Sequence, residues 1–145
     1  MKITNSILAL AMLSFVNVGA SNACTCIGPA NAKEGLELSE AVFSGRVIEA
    51  DEFKAEVEAE RVWKGNFTKT RVIVLNPAPK TSCSMALARG QRYIVFASVD
   101  KERGRVSYIP KICFPTSVLS KAEQTLKEIG EGKLLKKRRR LVRRR

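Results

Sequence analysis

The stretch that decides the fold is a strand pattern with a glycine near its middle, Ala41-Val42-Phe43-Ser44-Gly45-Arg46-Val47-Ile48. Its β-branched and aromatic side chains stand on both sides of Gly45, which is typical of a β-strand. A glycine inside a strand indicates a β-bulge or a sharp bend. The pattern therefore predicts a first strand that is bulged or bent at Gly45.

Three more strand patterns follow along the chain. In residues 53–63 glutamates alternate with apolar side chains, which predicts a half-buried antiparallel strand. Residues 70–75 predict a third strand, which stops at Pro77 because proline cannot donate a hydrogen bond to a strand ladder. Residues 93–97 are apolar on both faces, so we expect them to form a central strand.

The pattern ends in one more strand and a helix. Residues 105–113 predict a fifth strand, and a helix is predicted to start at Thr116 or Ser117 and to stop at Gly130. A shorter helix is predicted around Leu36, ahead of the first strand. Five strands with a glycine bulge suit a small barrel better than a sandwich, which uses about seven. The predicted fold is mainly β: a five-stranded OB-like barrel with one C-terminal helix and a short N-terminal helix.

Glu56, Glu58 and Glu60 fall on one face of the second predicted strand. Such a row of carboxylates could act as an acid/base group or bind a metal. On a half-buried strand, however, same-face carboxylates are far more often the solvated surface. We therefore expect these glutamates to face solvent.

The first 23 residues have the pattern of a secretory signal peptide: a charged start at Lys2, an apolar run over 7–18, and small residues at Ser21 and Ala23. The apolar run is too short for a membrane span, so no transmembrane segment is expected after processing. The mature chain is predicted to begin at Cys24. We expect a secreted or extracellular protein, periplasmic in a Gram-negative source, with lipid attachment at Cys24 as the alternative.

Charge divides the mature chain into a folded body and a basic tail. Residues 24–132 carry 16 basic and 14 acidic side chains, whereas residues 133–145 carry nine basic side chains and no acidic one. The body is long enough for one domain with a hydrophobic core. We expect residues 133–145 to be a solvated, disordered tail, or to bind a polyanion such as an anionic surface or glycan. Nucleic acid is not expected, because one Trp and two Tyr offer few side chains for base stacking.

The chain contains no histidine. This excludes a Ser-His-Asp or Cys-His nucleophile and any histidine-ligated metal site. The absence of histidine therefore removes most of the common hydrolase mechanisms.

Four cysteines remain in the mature chain, at positions 24, 26, 83 and 113. An even number in a secreted chain predicts two disulfides. Pairing Cys24 with Cys26 would close a small strained ring, so the two are expected to bond separately to Cys83 and Cys113, in either combination. A four-cysteine zinc site would normally use two close-spaced pairs of cysteines. Cys83 and Cys113 are far apart in the sequence, so such a site is not expected. A redox exchange site would need a free reactive thiolate, which two structural disulfides do not leave.

Several spaced motifs resemble one known family, the N-terminal netrin-like domain of tissue inhibitors of metalloproteinases, over roughly residues 24–130. The motifs are Cys24-Thr25-Cys26, Val42-Phe43-Ser44-Gly45-Arg46-Val47, Val62-Trp63-Lys64-Gly65, Cys83-Ser84 and Gly90-Gln91-Arg92-Tyr93-Ile94-Val95-Phe96. The family's fold is a five-stranded OB barrel with flanking helices. The resemblance therefore implies the same fold class as the strand pattern.

The resemblance also implies a function, inhibition of zinc metalloendopeptidases. An inhibitor of this kind is not an enzyme and has no cofactor of its own, since the zinc belongs to the target protease. The α-amine and carbonyl oxygen of Cys24 would chelate the catalytic zinc of the target protease, and Thr25 would enter its specificity pocket. The family's disulfides would join Cys24 to Cys83 and Cys26 to Cys113. The remaining contact ridge would comprise Cys26, Ile27, Ser82, Cys83 and Ser84.

The chain departs from the family in three respects. Gly28 precedes Pro29, where the family usually has proline soon after the second cysteine. The additional cysteines and the C-terminal domain of the animal inhibitors are missing, and a basic tail takes their place. Because one fold serves several functions, the alternative is a non-inhibitory netrin-like binding module whose tail binds an anionic surface or glycan.

Overall fold

The computed structural model describes residues 26–136, which form strands, two short α-helices and one 3-10 turn over Leu119–Lys121. The elements, in chain order, are α1 (Ala32–Leu38), β1 (Ala41–Ala50), β2 (Lys54–Lys64), β3 (Arg71–Leu75), β4 (Arg92–Glu102), β5 (Arg105–Pro110), β6 (Ser117–Val118), α2 (Glu123–Ile129) and β7 (Lys133–Leu134). The predicted signal peptide and most of the predicted basic tail lie outside the described residues.

The first five strands close into a barrel. The sheet runs β1-β2-β3-β5-β4, and β4 pairs back onto β1, so the outer strands meet. Every pairing around the barrel is antiparallel except that of β3 with β5, which is parallel. The predicted fold class, a mainly β protein with an OB-like barrel and two short helices, is confirmed.

The first strand closes the barrel by pairing on both of its edges, and it is irregular at the predicted glycine. β1 pairs with both β2 and β4, and its register on β2 shifts between Ser44 and Gly45. A Cβ at Gly45 would fall on the carbonyl oxygen of Glu58 and lie 2.8 Å from the Cα of Ala59. Only glycine allows this close approach of two backbones.

Two apolar clusters lie on the two faces of the sheet. Inside the barrel, the rings of Phe43, Phe67 and Tyr108 pack together with centroids 5.0–5.2 Å apart. Burial raises the pKa of the Tyr108 hydroxyl. On the outer face, α1 and α2 cover Val42 and Phe96, which are fully buried. The helices thus remove the outward apolar side chains of β1 and β4 from water.

The C-terminal helix begins later than predicted. Ser117 and Val118 pair with β4 instead, and the Thr116 hydroxyl accepts a hydrogen bond from the Phe96 amide at 2.9 Å. Thr116 therefore satisfies a strand amide and does not cap a helix. α2 starts at Glu123 and stops before Gly130, which has a positive φ of 71°, as expected of a C-terminal glycine.

The folded body extends past the predicted boundary at residue 132. Lys133 and Leu134 pair with Val62 and Arg61 of β2, and the Leu135 amide donates to the Glu60 carbonyl at 2.9 Å. The Leu135 side chain packs against the inner cluster. The first three residues of the predicted tail are therefore part of the fold, because Leu134 and Leu135 interrupt the run of charge.

A comparison of two truncated chains tests this boundary. A chain ending at residue 132 loses the pairing of β7 and the burial of Leu135, so its free energy of unfolding should fall by about 1–3 kcal/mol relative to a chain ending at Lys136. Urea unfolding of both chains measures the difference. Equal midpoints would show that β7 does not stabilise the barrel.

Candidate functional site

The parallel pairing of β3 with β5 brings two cysteine-containing segments to one end of the barrel. Ile73 pairs with Ser107 and Val74 with Tyr108. Because the two strands run in the same direction, the segments that follow them leave the barrel at the same end. These segments contain Cys83 and Cys113.

A disulfide joins the N-terminal segment to this end. Cys26 is bonded to Cys113, with 5.3 Å between their Cα atoms and a sequence separation of 87. This is the pairing that the family resemblance implies for Cys26. Cys83 is also disulfide-bonded. Its predicted partner, Cys24, lies outside the described residues, as does Thr25, so the pairing of Cys24 with Cys83 stays a prediction.

Gly28 allows the N-terminal segment to lie directly against the segment that follows β5. A Cβ at this position would fall on the carbonyl oxygen of Cys113 and lie 3.3 Å from the Cys113 Cβ. Cys113 itself has a positive φ of 70°. The glycine that departs from the family's pattern therefore has a structural role, since any other residue would push the two segments apart.

Two isoleucines border the disulfide in the sequence and face solvent. Ile27, which follows Cys26, is 92% exposed, and Ile112, which precedes Cys113, is 39% exposed. Ile27 was predicted to contact a partner, and its exposure is compatible with that role. Exposed apolar side chains beside a rigid crosslink provide contact area that needs little further ordering on binding.

Asn76 orders the segment that contains Ser82, Cys83 and Ser84. Its Nδ2 donates to the Ser84 hydroxyl and to the Glu52 carbonyl, each at 2.8 Å, and its Oδ1 accepts from the Met85 amide at 3.0 Å. Asn76 was not among the predicted site residues. The Asn76-Pro77 pair at the end of a strand was the available signal, since an asparagine side chain before proline favours a turn.

A third segment, the turn between β1 and β2, lies against the Cys83 segment. The backbone amide of Asn76 donates to the Phe53 carbonyl at 2.7 Å. The Lys80 ammonium lies 3.7 Å from the Glu52 carboxylate and 5.7 Å from the centre of the Phe53 ring. Phe53 is 55% exposed. This aromatic ring was not among the predicted site residues, because its proximity to Lys80 depends on the tertiary structure.

Asp51 holds this turn in place. Its Oδ1 accepts hydrogen bonds from the amides of Phe53 at 2.8 Å and Lys54 at 2.9 Å. These two bonds hold the pKa of the Asp51 carboxyl below its usual range. We call the four segments 26–28, 51–53, 76–84 and 111–113 the disulfide end.

Two glutamates of β2 form ion pairs on the surface. Glu56 lies 3.3 Å from Arg71 and Glu60 lies 3.2 Å from Arg92, and all four side chains are at least partly exposed. Within residues 26–136, no three His, Cys, Asp or Glu side chains are grouped to hold a metal ion. The expectation that the glutamate row faces solvent agrees with the ion pairs of Glu56 and Glu60.

Residues 26–136 also contain no helix with the length and hydrophobicity to cross a membrane.

Protein-family models give no match to this chain, and neither do curated proteins. Its function is therefore inferred from the geometry of the disulfide end and from the motifs that resemble the metalloproteinase inhibitors.

Proposed function

We propose that the protein is a secreted inhibitor of zinc metalloendopeptidases. In this proposal the mature chain begins at Cys24, whose α-amine and carbonyl oxygen chelate the catalytic zinc of the target protease. One observation carries the proposal. The Cys26–Cys113 disulfide fixes the chain two residues after Cys24, at the end of the barrel from which the Cys83 segment also leaves.

The proposed zinc contact is chemically sound. Catalytic zinc keeps one coordination position open for water or substrate, and a ligand at that position displaces the attacking water. An α-amine has a pKa of about 8, so an appreciable fraction is neutral at physiological pH and able to bind a metal. Covalent attachment of the neighbouring Cys26 limits the freedom that Cys24 would lose on binding.

Exposed side chains at the disulfide end support this proposal. Ile27 is almost fully exposed, and Ser82 and Ser84 are exposed on the ordered Cys83 segment. Phe53 adds an exposed aromatic ring on the neighbouring turn. In this proposal, Cys26, Ile27, Ser82, Cys83 and Ser84 contact the rim of the protease cleft, and Thr25 enters its specificity pocket.

Replacing Thr25 by glycine tests the pocket contact. Thr25→Gly should weaken inhibition by roughly tenfold, and unevenly between proteases, because it removes one side chain from a pocket but keeps the zinc ligands. Inhibition constants would be measured on a matrixin-type and a thermolysin-type endopeptidase, with a serine protease as the unaffected enzyme. Thr68→Gly, which changes an exposed threonine in the β2–β3 connection, is the matched control.

The same panel tests the proposal as a whole. If protein that begins with a free Cys24 inhibits no zinc protease, the inhibitor proposal is wrong. The chain would then be a non-inhibitory module built on the same barrel.

A further inference from the structure

A groove on the outer face of the barrel is separate from the disulfide end. It has a volume of about 530 Å³ and lies between α2 and strands β1 and β2. None of its described lining residues belongs to the disulfide end. A ligand bound in the groove would therefore leave the proposed protease contacts free.

Much of the groove lining is apolar. Trp63, Leu119 and Leu126 line it, and these members of the outer cluster are only partly buried. The indole N–H of Trp63 donates to the Gly130 carbonyl at 2.7 Å, and a Cβ at Gly132 would lie 2.8 Å from the indole ring. Because the N–H is already satisfied, the indole offers the groove mainly apolar ring surface.

One hydroxyl group opens into this apolar groove. Ser44 lines the groove from β1 and is only 1% exposed, and its outward-facing neighbours Val42 and Ile94 are fully buried. Within residues 26–136, every side-chain N or O atom that is sealed from solvent has a hydrogen-bond partner. The Ser44 hydroxyl makes no hydrogen bond to another residue of this range. It is therefore not sealed, and it faces the groove.

A nearly buried hydroxyl without a protein partner indicates a contact for a ligand atom. Such a group is unfavourable until a hydrogen bond satisfies it. A serine hydroxyl can donate to a carbonyl oxygen or accept from a hydroxyl group. Because the lining around Ser44 is apolar, a ligand with one such oxygen atom in an apolar body is the best match.

The charges at the rim of the groove favour an uncharged ligand. Glu123 lies 2.8 Å from Lys127, and Arg61 donates to the Gly132 carbonyl at 3.2 Å. With Glu131, the described lining contains two acidic and two basic side chains. A charged ligand would lose hydration in the apolar groove without a net attraction from the rim to offset that loss.

We infer that the groove binds an uncharged, mainly apolar small molecule whose one oxygen atom hydrogen-bonds to the Ser44 hydroxyl. Neutral carbonyl compounds and alcohols with an aromatic or alkyl body form this ligand class. Their apolar body would contact the Trp63 ring and the side chains of Leu119 and Leu126. A mainly apolar cavity of this size with a single convergent polar group is typical of small-molecule sites.

The only tryptophan of the chain provides the test, because Trp63 lines the groove. The full mature protein would be titrated with prodan, an uncharged naphthyl ketone that absorbs where tryptophan emits. We expect saturable quenching of Trp63 fluorescence, with one prodan bound per chain. Acetylnaphthalene should displace prodan, whereas the charged compounds naphthoate and naphthylmethylammonium should do so at least about tenfold more weakly.

Ser44→Ala separates the hydrogen bond from the apolar contacts. It should raise the dissociation constant of acetylnaphthalene about threefold to tenfold and leave that of ethylnaphthalene, which has no oxygen, unchanged. Ser98→Ala, on β4 and outside the groove lining, is the matched control and should change neither constant. Leu126→Gln should weaken both compounds at least about threefold, because it reduces the apolar contact. Circular dichroism of the variants would check that the barrel is folded.

Each of four results would overturn the inference. If prodan does not quench Trp63 saturably, the groove binds no ligand of this class. If Ser44→Ala changes the two naphthalenes equally or changes neither, its hydroxyl does not bind the ligand oxygen. If Leu126→Gln leaves both dissociation constants unchanged, the compounds bind elsewhere. If naphthoate or naphthylmethylammonium binds as tightly as acetylnaphthalene, the groove does not select uncharged ligands.

Discussion

One alanine added ahead of Cys24 should abolish inhibition of zinc metalloendopeptidases, with a loss of at least about a hundredfold, or roughly 2.7 kcal/mol. The added residue converts the α-amine of Cys24 into an amide nitrogen, which is a poor zinc ligand, and moves the new amine away from the metal. The barrel strands begin at Ala41 and the described disulfide joins Cys26 to Cys113, so the added residue lies ahead of both in the sequence. The free energy of unfolding should therefore change little.

Inhibition constants for the extended and native chains would measure this loss. Mass and N-terminal sequence must first show that the native sample begins with an unmodified Cys24, because a lipid or a retained residue would block the amine as well. A chain with one alanine added after Arg145 is the matched control, since it has the same composition as the extended chain. Equal inhibition by the extended and native proteins would contradict the zinc-chelation mechanism.

Replacing Cys26 and Cys113 by serine together should lower the free energy of unfolding by about 4 kcal/mol. The disulfide closes a loop with a sequence separation of 87, and in the chain-entropy account a loop of that size restricts the unfolded state strongly. Inhibition should also fall under conditions where the variant is still folded, because the segment next to Cys24 is no longer attached to the Cys113 segment. Denaturant unfolding and inhibition assays measure the two effects.

The matched control for this variant is Ile27→Ala. It removes an exposed side chain beside the same disulfide and should change the free energy of unfolding by less than about 0.5 kcal/mol. An unfolding free energy unchanged by the double substitution would show that the crosslink does not stabilise the barrel.

Peptide mapping of the unreduced native protein should join Cys24 to Cys83.

The number and approximate position of the main strands could be read from local pattern. Alternation in β2 and a fully apolar stretch in β4 are set by which side chains face the core, and this period is visible in the sequence. Gly45 was also informative, since a glycine within a strand marks a place where two backbones approach closely. These features led directly to the barrel.

The boundaries of the short elements could not be read in the same way. Ser117 and Val118 form a strand because the edge of β4 is available to them, and Thr116 satisfies a β4 amide. The pair Leu134-Leu135 joins the sheet because β2 extends beyond the start of β3. In both cases a partner that is distant in the sequence outweighs the local preference for helix or coil.

The sequence by itself determined the barrel, the irregularity at Gly45, the outward glutamates of β2 and the chemistry available to the four cysteines. Only the tertiary structure decided that β3 and β5 are parallel, that Asn76 and Phe53 belong to the disulfide end, that Gly28 lies against Cys113, and that a groove opens beside Trp63. The physical reason is the range of the interactions. Side-chain period and the backbone freedom of glycine are local properties of the sequence, whereas strand direction and surface shape depend on contacts between residues tens of positions apart.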